Sequence, residues 1–140
     1  MKFWDSSAII PLCLKEPASE TVKHMLKDDE DIIVWWATRI ECLSALSRRR
    51  REGVLPVDTE LKAKEILYAL SAVWSEVQPS ELVRKRAERL LMIHPLRAAD
   101  ALQLSAALIW AQENPQGLAI ICLDQTLRQA ALKEGFTVFP

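Results

Sequence analysis

Short apolar runs alternate with longer stretches of helical periodicity along this chain. Four of the runs predict strands, at residues 2–5, 32–36, 118–123 and 136–139. The stretches between them predict helices at about residues 8–14, 19–27, 38–51, 58–74, 80–93, from 98 onward and 125–134. Strands separated by helices favour an α/β fold in which helices cover both faces of a central parallel sheet.

The composition fits one soluble globular domain. The chain has 140 residues, of which 50% are hydrophobic and 26% charged, so it can bury about two-thirds of the surface of its unfolded form. We therefore expect a single domain over residues 1–140. No apolar run approaches the roughly 18 residues of a membrane span, and the start MKFWDSS lacks the layout of a signal peptide. We expect a cytoplasmic protein that does not enter a membrane.

Charge and cysteine content narrow the classes of function. The formal net charge of -1 argues against a protein that holds nucleic acid by its overall charge, so any such contact must be local. The arginines at residues 48–51 could supply a local basic patch, or only favourable charge at a helix C-terminus. Cys13, Cys42 and Cys122 are widely spaced without a CxxC motif, which predicts buried free thiols rather than disulfides or a zinc site.

Four acidic residues are isolated in apolar stretches, unlike the other acids, which lie in mixed-charge or turn-like segments. They are Asp5, Glu41, Asp100 and Asp124. Asp100 is the only charge in the predicted helix that follows Pro95, and a place in the first turn of a helix relieves only about 0.3–1 kcal/mol. An ionised carboxylate in such surroundings must be paired, protonated or bound to a cation.

The predicted topology brings these acids to one edge of the sheet. Asp5 and Asp124 end predicted strands, whereas Glu41 and Asp100 lie in the first turns of predicted helices. Carboxylates gathered there would raise one another's pKa unless a cation neutralised them. Oxygen ligands without His or Cys suit Mg²⁺ or Mn²⁺. Such an ion activates water and stabilises charge on phosphorus, so phosphodiester hydrolysis is the reaction that we expect.

Four segments carry a resemblance to a known family. They are FWDSSAIIPLCLKEPASE, RIECLSALSRRRREG, HPLRAADALQLSAAL and ICLDQTLRQAALKEGFTVF, in the expected order over nearly the whole chain. Together they resemble a PIN domain, and more narrowly a ribonuclease toxin of the VapBC toxin–antitoxin type. The resemblance implies a three-layer α/β/α domain with a central parallel sheet and a Mg²⁺- or Mn²⁺-dependent endoribonuclease site. It also implies an antitoxin partner expressed with the toxin, and a homodimer.

The resemblance suggests roles for the four acids, which match the family's acidic positions. We hypothesise that Asp5 and Asp100 bind the metal directly and that Asp124 binds it directly or through water. Glu41 would orient or deprotonate the attacking water. Hydrolysis of RNA by that water would leave a 5′-phosphate and a 3′-hydroxyl.

Three neighbours of these acids add to the hypothesis. Ser6 could orient Asp5 or a substrate phosphate, or only cap a helix. Arg97 could contact an RNA phosphate, pair with a carboxylate of the site, or be an ordinary surface residue. Cys122 departs from the family pattern, since relatives often carry Thr or Ser two residues before the fourth acid. This departure concerns a polar contact beside the site and not the carboxylates themselves.

Two other functions remain open at this point. A PIN-like module that binds RNA or a protein without cutting would keep the fold but lack a complete acid set, whereas all four acids are present here. A small Mg²⁺-dependent phosphatase would need a nucleophilic Asp and usually a nearby Lys, and the last strand region has no lysine before Lys133. A metal-dependent assay on RNA and on a phosphomonoester separates these functions.

The tryptophans and one apolar helix face are candidates for interfaces. The tryptophans could stack on bases, but their apolar contexts favour core or interface positions for most of them. One predicted helix also carries more large apolar side chains than it needs for packing against the core. These side chains are our candidate for a dimer or antitoxin surface. This group is Ile66, Leu67, Leu70, Val73 and Trp74.

Overall fold

Five short strands form one parallel sheet at the centre of the protein, in a computed structural model that describes all 140 residues. The strands are β1 (Lys2–Trp4), β2 (Ile32–Trp35), β3 (Ser75–Val77), β4 (Ala119–Ile121) and β5 (Thr137–Phe139). Their order across the sheet is β3-β2-β1-β4-β5, and every neighbouring pair is parallel. The predicted α/β fold with a central parallel sheet is confirmed.

Seven helices connect and cover the strands. They are α1 (Ser6–Cys13), α2 (Ser19–Asp28), α3 (Thr38–Arg51), α4 (Val57–Ser71), α5 (Glu81–Ile93), α6 (Ala98–Trp110) and α7 (Gln125–Glu134). The bounds of α7 agree with the prediction because Gly135 ends the helix with a φ of 106°, a conformation that glycine adopts without strain. None of the helices is long and apolar enough to cross a membrane.

Alternating side chains of the strands build a separate core on each face of the sheet. Phe3 and Ile33 pack on one face with residues of α5, α6 and α7. Trp4, Val34 and Ile121 pack on the opposite face with residues of α1, α2, α3 and α4. Successive residues of a strand point to opposite faces, so β1, β2 and β4 each supply both cores. The result is the expected three-layer α/β/α architecture.

The sequence pattern missed β3. It extended the helix before this strand to Trp74, whereas α4 ends at Ser71 and β3 follows at Ser75–Val77. This strand has only three residues, none of them fully buried, and it lies at the edge of the sheet. It pairs with β2 through backbone hydrogen bonds, which leave no hydrophobic signature in the sequence.

Several details of the predicted helices were wrong. A helix that begins at about residue 8, as predicted, would have Pro11 in its first turn, but α1 begins at Ser6 and Pro11 lies in the second turn. The helical spacing of apolar residues predicts that Ile40, Leu82 and Leu91 face inward, but they are 60%, 67% and 45% exposed. Helical spacing alone does not say which part of an apolar stripe the neighbouring layer covers, so residues at the margin of the stripe remain accessible.

The connection into α6 is anchored by a buried histidine. His94 ends α5, is 6% exposed, and has its Nε2 atom 3.0 Å from Oε2 of Glu134 on α7. The three cysteines are free and buried, as expected. The His94 contact ties the segment that precedes α6, which begins at Ala98, to α7.

Candidate active site

One cavity, of about 640 Å³, contains all four of the isolated acids among its lining residues. Asp5 and Asp124 follow β1 and β4, which are neighbours in the sheet, and each carboxylate caps the next helix, α1 or α7. Glu41 and Asp100 lie in the first turns of α3 and α6. The carboxyl ends of parallel strands and the starts of the following helices meet at the same edge, which explains the convergence.

Asp5 is the most enclosed of the four acids, with 4% of its surface exposed. Its Oδ2 atom accepts hydrogen bonds from the backbone N–H of Ser7 at 3.0 Å and from the Ser7 hydroxyl. The Cys122 thiol lies 3.6 Å from the same oxygen and donates a weak hydrogen bond. Burial raises the pKa of Asp5, although the bonds from Ser7 and Cys122 oppose that shift. Cys122 thus makes a polar contact with an acid of the cavity.

Glu41 is held by two donors from different elements. Its Oε2 atom accepts hydrogen bonds from the Ser6 hydroxyl at 2.9 Å and from Nε2 of Gln103 at 3.1 Å. Burial raises the pKa of Glu41, the charges of Asp5 and Asp100 raise it further, and the two hydrogen bonds lower it. The carboxylate therefore has a defined orientation together with an increased affinity for a proton.

Asp100 and Asp124 complete the group. Burial raises the pKa of Asp100, the negative charges of Asp124 and Asp5 raise it further, and the positive charge of Arg97 lowers it. Asp124 is fixed by its cap contact, in which the backbone N–H of Leu127 donates to Oδ1 at 2.8 Å. The charges of these acids act on one another, which is the condition that favours binding of a cation.

The two residues predicted to bind substrate occupy different places. Ser6 lines the cavity, where its hydroxyl donates to Glu41 rather than to Asp5, and the cap of α1 is Asp5 itself. Arg97 is not among the lining residues. It precedes the first residue of α6 and is close enough to lower the pKa of Asp100.

Sequence reasoning missed Gln103, which lies one turn of α6 after Asp100. This side chain is 1% exposed, and its Nε2 atom donates to both Glu41 and the Thr38 hydroxyl, each at 3.1 Å. Its Oε1 atom is buried without a hydrogen-bond partner. The signal in the sequence was a polar amide in an otherwise apolar stretch, three residues after the acid. That spacing places both side chains on one face of a helix.

The fold and the cavity define an α/β domain with an acidic site at the carboxyl edge of a parallel sheet, and comparison with known proteins is consistent with this class. Residues 2–133 match the PIN domain family, so the chain belongs to that family. PIN domains are typically nucleases and typically bind divalent metal ions.

The fold resembles those of several solved structures. The structure of PAE2754 from Pyrobaculum aerophilum aligns with a TM-score of 0.68 and 20% identity, covering 98% of this chain and 87% of that one. The structure of FitAcB from Neisseria gonorrhoeae aligns with a TM-score of 0.68 and 18% identity, covering 100% of this chain and 97% of that one. No curated protein matches the sequence. At these identities the structural likeness establishes the fold.

The donor chemistry of the cavity fits a hard divalent cation. All four acids offer carboxylate oxygens. Burial destabilises the ionised forms of Asp5, Glu41 and Asp100, and repulsion from neighbouring acids adds to this effect for Glu41 and Asp100. No three His, Cys, Asp or Glu side chains lie close enough together to hold one ion between them. Mg²⁺ usually keeps several water ligands and contacts only one or two carboxylates directly, so the other acids of the cavity would contact it through water.

Proposed function

We propose that this protein is a Mg²⁺- or Mn²⁺-dependent endoribonuclease that serves as the toxin of a toxin–antitoxin pair. The observation that carries the proposal is the cavity in which four carboxylates converge, three of them with a pKa raised by burial. Ionised carboxylates are unfavourable when they are close together and partly buried, and a bound divalent cation neutralises their charge. Membership of the PIN family adds that the chemistry of this fold is typically nucleolytic.

In this mechanism the acids divide into two roles. Asp5, Asp100 and Asp124 would hold the cation, at least one of them through a bound water molecule. A divalent cation, when bound, supplies positive charge that lowers the pKa of water and stabilises the developing charge on phosphorus. Glu41 orients the attacking water and accepts its proton, while Ser6 and Gln103 keep that carboxylate in place.

The reaction is hydrolysis of the bond between phosphorus and the 3′ oxygen. The water oxygen bonds to phosphorus, the 3′ oxygen leaves and takes up a proton, and the products are a 5′-phosphate and a 3′-hydroxyl. Ser6 lies in the cavity beside Glu41, and Arg97 lies next to Asp100, so both are close enough to the acids to contact the RNA backbone. We place this activity in the cytoplasm, where its RNA substrates are.

The proposed partners are a cognate antitoxin and a second copy of the chain. The segments that resemble VapBC toxins support this pairing, and an apolar surface on one side of the protein is available for it. Ile66 and Val73 of the expected face are 41% and 78% exposed, whereas Leu67 and Trp74 are 0% and 8% exposed and belong to the core. Any interface at this face would therefore use the outer residues only.

The test is cleavage of a panel of structured RNAs by the purified chain in Mg²⁺ or Mn²⁺, compared with EDTA. Asp100→Asn removes a charge from the cavity while nearly keeping the side chain's shape. Asp58→Asn makes the same change at an exposed acid in the first turn of α4, outside the cavity. We expect metal-dependent cutting that Asp100→Asn abolishes and Asp58→Asn preserves.

Other outcomes would contradict the proposal. Equal cutting by both variants would show that Asp100 is not part of the active site. Metal-dependent release of phosphate from a phosphomonoester, with RNA left intact, would indicate a phosphatase. RNA binding by the folded, antitoxin-free chain without cutting in either metal would indicate a binding module.

A further inference from the structure

The cavity that contains the four acids has a second, basic end. Its lining there includes Ser44, Arg48 and Arg49 on α3, together with Glu16 beyond α1. Glu41 and Arg48 lie on the same helix, about 10.5 Å apart along its axis at a rise of 1.5 Å per residue. The cavity therefore follows α3 from its acidic first turn to its basic last turn.

The four arginines that end α3 are not equivalent. Arg49 forms an ion pair with Glu16, and Arg50 pairs with Glu60 at 3.1 Å. Arg48 and Arg51 form no salt bridge and are both exposed, but only Arg48 lines the cavity. The charge of Arg49 is neutralised by its partner, which leaves Arg48 as the guanidinium with no carboxylate partner at this end of the cavity.

We propose that Arg48 binds a phosphate of the RNA strand, namely one adjacent to the phosphate at which the strand is cut. The Ser44 hydroxyl would lie beside the phosphate that Arg48 binds. The proposal rests on the proposed ribonuclease function, since it assigns the path of that substrate. A strand that places one phosphate among four carboxylates needs positive charge where it continues, because the acids repel its other phosphates. A planar guanidinium binds a phosphate through two parallel hydrogen bonds, and such contacts set the register of the strand.

An alternative explanation for Arg48 is that it only places favourable charge at the C-terminus of α3. Arg51 provides the matched control for this explanation. It has the same side chain, lies in the same last turn, is equally without a salt bridge, and does not line the cavity. A role limited to the helix terminus predicts that replacing either arginine has the same effect on RNA binding.

The first experiment measures binding of a labelled oligouridylate to Arg48→Ala and Arg51→Ala. Both variants also carry Asp100→Asn, which prevents cleavage. Binding is measured in Mg²⁺ over a range of salt concentrations. Loss of one phosphate contact should weaken binding by Arg48→Ala about tenfold. It should also lower the slope of log affinity against log salt by about 0.7. Arg51→Ala should leave both quantities unchanged. Equal affinities and slopes for the two variants would overturn the proposal.

The second experiment compares cleavage kinetics of the same two substitutions in the otherwise unchanged protein, on any RNA that it cuts. Contact with an adjacent phosphate predicts a raised KM with kcat nearly unchanged for Arg48→Ala. A fall in kcat at unchanged KM would overturn this placement and put Arg48 on the phosphate that reacts. If no RNA is cut but Arg48→Ala still lowers the salt slope, the nuclease assignment fails while the phosphate site stands.

Discussion

The contact between Gln103 and Glu41 leads to the most informative prediction about the site. In Gln103→Met an apolar side chain of similar length replaces the amide, so the hydrogen bonds to Glu41 and Thr38, each 3.1 Å long, are both lost. A hydrogen bond to a charged group contributes about 1.5–3 kcal/mol, and one to a hydroxyl about 0.5–1.5 kcal/mol. The substitution also removes the buried Oε1 atom that has no partner, which relieves about 1–3 kcal/mol.

These opposing effects nearly cancel in stability but not in catalysis. We expect the free energy of unfolding of Gln103→Met to fall by about 1 kcal/mol, the difference between the central values of the losses and of the gain. The rate of cleavage should fall about 10- to 100-fold, as is typical when a partner that orients a reactive group is removed. Because the bond from Gln103 lowers the pKa of Glu41, its loss should raise that pKa further. The rising limb of the pH–rate profile, which reports ionisation of the base, should then move to higher pH.

The control is Ser105→Ala on the same helix. Ser105 is fully buried and donates a hydrogen bond to the backbone carbonyl of Val83 at 2.6 Å, without contact to an acid of the cavity. Its replacement should cost about 1 kcal/mol of stability and leave kcat and the pH profile unchanged when assayed well below the melting temperature. The reasoning would be refuted if Gln103→Met retained the full rate and the original pH profile. A loss of rate explained entirely by unfolding, equal in both variants, would refute it as well.

Two further predictions concern stability. In EDTA at neutral pH, Asp100→Asn should raise the urea midpoint of unfolding, because burial and the charges of Asp124 and Asp5 raise the pKa of Asp100. A carboxyl whose pKa is raised on folding binds more protons in the folded state, so its destabilising effect shrinks as pH falls through the raised pKa and is lost below the pKa of the unfolded state. The advantage of Asp100→Asn should therefore shrink on acidification, and a constant or growing advantage would contradict the cause. Leu67→Ala, at a fully buried position, should cost about 2–5 kcal/mol, whereas Ile66→Ala, at a residue that is 41% exposed, should cost much less in the same urea titration.

Much of this architecture follows from local patterns in the sequence. The alternation of apolar runs with helical periodicity predicted four of the five strands and the layered α/β arrangement, because each element must bury its apolar side against the next layer. The isolated position of Asp5, Glu41, Asp100 and Asp124 pointed to one edge of the sheet. An uncompensated charge in an apolar stretch is unfavourable unless the fold gives it a partner, so its place in the sequence already indicates a functional or structural demand.

The rest depended on contacts between segments that are distant in the chain. The edge strand β3 is defined by backbone pairing with β2, and the wrong inward assignment of Ile40 reflects where the covering layer ends. Glu41 is oriented by hydrogen bonds from Ser6 on α1 and Gln103 on α6, which lie 35 and 62 residues away from Glu41 in the sequence. Likewise, only packing of α3 beside α1 pairs Arg49 with Glu16 and leaves Arg48 unpaired in the cavity. Composition and periodicity determine which groups must be buried or paired, whereas the choice of partner is made by tertiary packing, because hydrogen bonds and ion pairs act only at short range.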